Sequence, residues 1–133
     1  MNTDNNLELV KKAYEHFSSG NIPAFIELLS DEIIWVTPGP AVVPFAGTRK
    51  GKKGVLEFFS QVTATTELKK FAPVEMFTDG NKVIAIGEID AVTLATGKSY
   101  SHKWFHEWTI ENGKVINHYN FLDTLQVAES FKK

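Results

Sequence analysis

Hydrophobic positions in the first third of the chain recur at helical spacing. From about Asn5 to Ser19, Leu7, Val10, Tyr14 and Phe17 fall three and four residues apart, which predicts the buried stripe of an amphipathic helix ended by Gly20. Asn21 can cap a second, shorter helix, with Pro23 in its first turn and Phe25, Ile26, Leu28 and Leu29 as its apolar side, ending near Ser30. The period then changes. Ile33 to Thr37 is a β-branched and aromatic run closed by Pro38, and the turn-rich PGPAVVPFAGTRKGKKG after it is expected to loop, because it cannot continue a sheet without interruption. Gly54 to about Thr63 returns to helical spacing, with Val55, Phe58, Phe59 and Val62 packing.

After Thr65 the pattern becomes alternating. Asp79-Gly80, Thr96-Gly97 and Asn112-Gly113 are hairpin turns that separate four strands of an antiparallel meander. In the third of these strands Tyr100, His102, Trp104, His106, Trp108 and Ile110 share one face, while Ser101, Lys103, Phe105, Glu107 and Thr109 share the other. A two-residue loop at Asn112 and Gly113 pairs Glu111 with Lys114. Counting outward sets Ile110 opposite Val115, Trp108 opposite Asn117, His106 opposite Tyr119, Trp104 opposite Phe121 and His102 opposite Asp123. A bulge would shift this register and separate the last pair. Pairing Leu94 with Ser99 across Thr96-Gly97 brings Asp90 opposite Lys103, and sets Ala91, Ile89, Gly87 and Ala85 beside His102, Trp104, His106 and Trp108. Small residues beside rings and polar groups predict a cavity instead of a filled core. A last short helix starts after Asp123, where Asp123 to Gln126 has a capping-box-like pattern.

Composition narrows the partners. With 133 residues and 43% hydrophobic content, the chain suits a single domain over residues 1–133 that encloses a core and a small pocket. Fourteen basic against sixteen acidic residues give a formal charge of -2, which offers no global attraction to nucleic acid or an anionic membrane. The chain has no cysteine, so disulfides and thiolate ligands or nucleophiles are excluded. The start MNTDNNLELV lacks the regions of a secretory signal, no apolar run approaches a membrane span, and the cytoplasm is the expected address.

The candidate chemistry lies on the histidine face. His102 with Asp123 can form a dyad in which the carboxylate orients the ring and raises its basicity, although Asp123 has a competing reading as the cap of the last helix. His106 beside Tyr119 can donate hydrogen bonds to a carbonyl or enolate oxygen, or form a satisfied core pair. Trp35, Thr37, Phe45, Phe59, Trp104 and Trp108, with Gly87 leaving room, can line a pocket for a small hydrophobic molecule, or simply build the core. His102 and His106 each stand about 6.6 to 6.8 Å along the strand from Trp104 between them by strand rise, which does not favour joint ligation, and neither a metal nor a cofactor is expected. His16 and His118, the latter counted on the opposite sheet face, read as structural. The basic run Arg49, Lys50, Lys52 and Lys53 lacks the spacing of a phosphate-binding P-loop and reads as a solvated loop. The outer sheet face mixes Ile84, Ile86, Val92, Phe105, Ile116 and Leu122 with Glu88, Asp90, Lys103 and Glu107, too apolar for full exposure, and a homodimer is expected there.

The helical start LVKKAYEHFSSGNIPAFIELLSDEIIW, the passages Phe45-Ala46-Gly47 and Gly51-Lys52-Lys53-Gly54-Val55, and TGK, WFHEWTIENGKV and LDT are similar in order and spacing to the NTF2-like superfamily. Its SnoaL-like, ketosteroid-isomerase-related branch is the part this chain resembles, nearly end to end. The resemblance implies an α+β cone, with three N-terminal helices packed on a strongly curved, mostly antiparallel sheet and a short C-terminal helix. The superfamily includes isomerases, polyketide cyclases, epoxide hydrolases, dehydratases and noncatalytic binding domains, so the fold alone does not select a function. Ketosteroid isomerases carry an aspartate before a proline where this chain has Thr37 before Pro38, and their helix-one tyrosine falls nearest Ala13, one residue from Tyr14. SnoaL-like cyclases use a pocket aspartate and histidine, for which the resemblance offers His102, His106 and Asp123. The expected function is cofactor-independent acid/base catalysis, such as isomerisation, cyclisation or dehydration of a small hydrophobic carbonyl compound. In it His102 is the base, Asp123 its orienting partner, and His106 and Tyr119 polar stabilisers. A noncatalytic small-molecule binding domain and a dimerising protein-interaction module are the alternatives.

Overall fold

A computed structural model describes residues 3–133, and their side chains from residue 5 onward. In chain order the elements are α1 (Thr3–Ser18), α2 (Ile22–Glu27), β1 (Leu29–Thr37), β2 (Gly47–Lys50), α3 (Gly51–Thr65), β3 (Thr66–Asp79), β4 (Lys82–Thr93), β5 (Ser99–Glu111), β6 (Lys114–Phe121) and α4 (Thr124–Ser130). The helical stripe of α1 turns Val10, Ala13 and Tyr14 into the core, and Gly20, at φ 76°, turns the chain out of it. Asn21 caps α2 by accepting a hydrogen bond from the Ala24 N–H at 3.2 Å. That helix ends at Glu27, short of Ser30, because Leu29 is drawn into the sheet beside Val115 and is 1% exposed there.

The six strands form one sheet in the order β2-β1-β6-β5-β4-β3. The meander from β3 to β6 is antiparallel, and β1 joins it in parallel with β6, which makes the sheet mixed. The last residues of the turn-rich segment are not loop. Gly47–Lys50 adds β2 to the free edge of β1, with Arg49 opposite Trp35, and α3 follows directly from Gly51 at φ 76°. α1 lies against β3 and β4, and α3 against β1, so the helices cover one face of the sheet. Among the described residues no helix is long and apolar enough to cross a membrane.

Two registers differ from those counted from the turns. Between β4 and β5 the connection is longer than a two-residue loop. The Thr93 N–H donates to the Lys98 carbonyl and the Gly97 N–H to the Thr93 carbonyl, both at 2.8 Å. The slip leaves every face unchanged but places Gly87 opposite Trp104, Ala85 opposite His106, Ile89 opposite His102 and Glu88 opposite Lys103. Between β5 and β6 the turn itself is as expected, with positive φ at Asn112 (52°) and Gly113 (74°), and Ile110 opposite Val115. The register then shifts at Ile116, which has no partner on β5, so that Trp108 faces His118, His106 faces Asn120 and Phe105 faces Phe121. This one-residue bulge reverses the faces of the rest of β6. The bulge sits where β1 is irregular too, between Leu29 and Ile34, and where the Val115 N–H donates to the Leu28 carbonyl at 3.0 Å.

Candidate functional site

Between the helices and the covered sheet face lies a cavity of about 110 Å³. Three rungs of the sheet build its wall. Trp35, His118 and Trp108 align across β1, β6 and β5; Asn120, His106 and Ala85 align across β6, β5 and β4; Trp104 lies opposite Gly87. Tyr14 and Phe17 from α1 and Phe58 and Phe59 from α3 close the space from the helical side. Among the described residues lining it there is no Asp, Glu, Lys or Arg.

A short chain of hydrogen bonds crosses this space. The Trp108 Nε1–H donates to Tyr14 Oη at 3.0 Å, and Tyr14 Oη lies 2.7 Å from His106 Nδ1. Because the tyrosine oxygen accepts from the indole, its own hydrogen is free for His106 Nδ1. That nitrogen is then the acceptor, and the neutral ring keeps its proton on Nε2. Burial pushes the His106 pKa down to about 3, with the neighbouring Asn120 amide opposing, so the ring is neutral at physiological pH. Burial also drives the Tyr14 phenol well above its usual range, the bond from Trp108 opposing, so it remains protonated.

His102 holds the opposite tautomer. Its Nδ1 lies 2.8 Å from the Lys103 carbonyl oxygen, which only accepts, so Nδ1 carries the hydrogen. In the neutral ring Nε2 is then a bare acceptor, and it is buried without a partner. The imidazoles on either side of Trp104, both on residues that line the cavity, thus carry opposite functions at Nε2, an acceptor on His102 and a donor on His106.

The structure brings Trp35, Phe45, Phe59, His102, Trp104, His106 and Trp108 together around the cavity. Others of the expected residues lie elsewhere. Tyr119 is on the opposite sheet face, across from Glu107 and with its ring 4.6 Å from that of Phe121, because the bulge at Ile116 turned it outward. Asp123 caps α4, accepting from the Gln126 N–H at 3.0 Å and from Gln126 Nε2 at 2.9 Å. Those two bonds hold its carboxyl below the usual range, and no hydrogen bond joins Asp123 to His102. The backbone carbonyl of Lys103 orients His102 in its place. Thr37 is fully buried outside the lining. Gly87 leaves no room for a ligand, because the Trp104 indole lies on it so closely that a Cβ there would meet Cζ2 at 2.1 Å. Leu122 faces the cavity instead of the outer side.

Tyr14, His118 and Asn120 line the cavity but were not among the candidate site residues read from the sequence. Tyr14 is visible there as part of a helical stripe and as the neighbour of the position that the ketosteroid isomerases' helix-one tyrosine matches. His118 and Asn120 are carried inward by the bulge, and no local pattern announces it. His118 is 2% exposed, stacks on Trp35 at 3.8 Å and 11°, and lies 4.7 Å from the His106 ring. Burial, reinforced by His106, holds its pKa well below the ordinary value. Among the described residues no group of three or more His, Cys, Asp or Glu side chains is arranged to hold a metal ion.

No curated protein matches the chain. Solved structures do. An NTF2-like protein of unknown function from Burkholderia pseudomallei is 25% identical, with a TM-score of 0.88 over 97% of this chain and 98% of its own. TerC, co-crystallised with polyporic acid, is 24% identical with a TM-score of 0.86 over 97% and 99%. A putative SnoaL-like polyketide cyclase from Mesorhizobium loti is 18% identical with a TM-score of 0.72 over 87% and 97%. Residues 10–118 match the SnoaL-like domain, and with helices packed on a six-stranded mixed sheet the chain belongs to that family within the NTF2-like superfamily.

Proposed function

We propose that the protein catalyses cofactor-independent proton transfer on a small, neutral, hydrophobic carbonyl compound held in the cavity, as an isomerase, cyclase or dehydratase does. The observation that carries this reading is the pair of hydrogen bonds on β5, His106 Nδ1 with Tyr14 Oη and His102 Nδ1 with the Lys103 carbonyl, from which opposite tautomers follow. His102 Nε2 takes a proton from the carbon next to the carbonyl, and the electron pair of that C–H bond moves toward the carbonyl oxygen. His106 Nε2–H donates to the oxygen as it gains charge, and a neutral ring serves because the donor need not give up its proton. The His102 imidazolium, its Nδ1–H held by the Lys103 carbonyl, then returns the proton to the substrate at another atom. The aromatic wall excludes bulk water, which strengthens both interactions. Similarity to a putative polyketide cyclase and to TerC with its organic ligand supports a cavity that takes organic molecules.

The test uses 2-indanone in D2O, with loss of its α-proton signal followed by NMR. The wild-type protein is expected to accelerate exchange, and His102→Ala to slow that catalysis by about 100- to 10,000-fold, the usual share of a general base. Exchange that survives His102→Ala unchanged removes the base assignment. Binding without exchange in the wild type supports the noncatalytic binding domain instead.

The other face of the sheet fits a second copy of the chain. Phe77, Phe105 and Phe121 are 54%, 43% and 51% exposed there. Ile84 and Ile86 lie between them, and the Lys82–Glu107 and Lys70–Glu88 ion pairs, at 2.9 and 2.8 Å, supply both signs of charge beside the apolar stripe. A homodimeric mass by light scattering at micromolar concentration is the expected result, and a monomeric mass would count against this interface.

A further inference from the structure

Buried polar atoms without partners are concentrated on one wall of the cavity. Trp35 Nε1, His102 Nε2, Trp104 Nε1, both ring nitrogens of His118 and Asn120 Oδ1 all belong to residues that line it. Elsewhere among the described residues only Thr37 Oγ1 and Arg49 Nε share that condition. Folded proteins pair the great majority of buried polar groups, and each one left alone costs about 1–3 kcal/mol. Six such atoms on residues around one space leave hydrogen-bonding capacity there that a bound group can complete once the side chains shift to meet it.

The chemistry of these atoms says what that is. An indole N–H only donates, an amide oxygen only accepts, and a neutral imidazole offers one of each. With no charged side chain in the lining, an ionic ligand group would be desolvated without a counter-charge, so the complement is neutral. The carbonyl chemistry above engages His102 and His106. It leaves His118 and Asn120, two positions apart on the inward face of β6, with Asn120 directly across from His106.

We propose that His118 and Asn120 form a second polar subsite that binds a hydroxyl group of the ligand, so that the substrate is a hydroxylated carbonyl compound and not a simple ketone. This rests on reading the cavity as a carbonyl site. A hydroxyl matches the pair because it donates and accepts at once. Its hydrogen goes to Asn120 Oδ1 while its oxygen accepts from a His118 N–H, or its hydrogen goes to the bare nitrogen of His118. No partner holds His118 in either tautomer, so its ring suits both arrangements. Trp35 lies flat on one face of that ring, so the hydroxyl arrives at the ring edge, where the nitrogens point.

Tryptophan fluorescence, with Trp35, Trp104 and Trp108 in the wall, reads binding directly. The probes are 2-indanone, its 4-hydroxy and 5-hydroxy derivatives, and the matching methoxy compounds, which keep the size and lose the donor. One hydroxy isomer is expected to bind at least about 10-fold tighter than 2-indanone, with no such gain for its methoxy analogue, since a site of unpaired polar atoms discriminates by hydrogen bonding. His118→Phe should bring that isomer to within about twofold of 2-indanone by the same argument. In the wild type, the His118 imidazole nitrogen resonances should move with the hydroxy probe and stay still with 2-indanone, a readout that does not depend on the variant folding. Equal affinities, a preference that survives His118→Phe, or unmoved His118 resonances each overturn the subsite. In those cases exchange of 2-indanone protons at His102 still stands as evidence for the carbonyl reading. Failure of every probe to bind overturns both.

Discussion

Acidification from pH 7 to pH 5 is expected to remove about 2 kcal/mol of stability through His106, and His118 adds to the loss in the same direction. Burial holds the His106 pKa at about 3 and that of His118 well below its ordinary value, whereas both titrate near ~6.5 in an unfolded chain. The stabilisation is therefore fully present above about pH 6.5, where both states are neutral. As pH falls the unfolded chain binds protons that the fold refuses, and stability drops by about 1.4 kcal/mol per pH unit for each ring until the folded pKa is reached. No carboxylate among the lining residues offsets this, since the rings face Tyr14, Trp35, Trp108, Asn120 and each other. Urea unfolding at pH 7, 6 and 5 measures the slope, and His118→Asn should make it shallower. A midpoint that does not move over that range would refute the buried neutral pair.

Gly87→Ala is expected to destabilise the protein by about 3 kcal/mol, and to lower Tm by about 10 °C for a chain of this size. A Cβ at this position meets Trp104 Cζ2 at 2.1 Å and the Ala72 carbonyl oxygen at 2.5 Å, one a packed ring and the other backbone of the adjacent strand. Aromatic neighbours hold the indole in place. Phe71 stacks on it at 4.8 Å, His106 at 4.0 Å, and Tyr14 lies at 5.7 Å. A displaced Trp104 pushes on His106 and thereby on its bond to Tyr14, so the near-UV circular dichroism of the tryptophans should change as well. A Tm within 2 °C of wild type (about 0.5 kcal/mol) would mean that the contact relaxes cheaply and that Trp104 is not fixed by its neighbours.

Most of the architecture was legible because it is encoded locally. The stripe Val10 and Tyr14, the alternation of β5 and the turn at Asn112-Gly113 each express a periodicity or a backbone preference of adjacent residues. The failures share a different origin. Nothing in Lys114–Phe121 marks Ile116 as the extra residue, because the bulge arises where β6 meets β1 and the Leu28 carbonyl, a neighbour from the other end of the chain. That single residue exchanged Tyr119 for His118 and Asn120 in the cavity. The small side chain of Gly87 was read correctly as space, but the longer β4–β5 connection assigned the space to Trp104. Asp123 shows the limit of proximity by counting, since a capping pattern within three residues outcompeted a partner across the sheet.

The parallel pairing of β1 with β6 has a consequence for folding. β3 to β6 can assemble from successive hairpins, whereas the β1–β6 seam joins segments far apart in the chain and bears the full entropy of closing that loop. Trp35 stands on one side of the seam and His118 and Trp108 on the other, so a form in which the seam is open has no cavity. A ligand therefore binds only the closed sheet, and at 100 times its Kd it adds about 2.7 kcal/mol to the stability of that closed form. Occupancy of the cavity and lifetime of the fold are in this way one linked equilibrium, with the ligand acting as the clasp that keeps the two ends of the chain together.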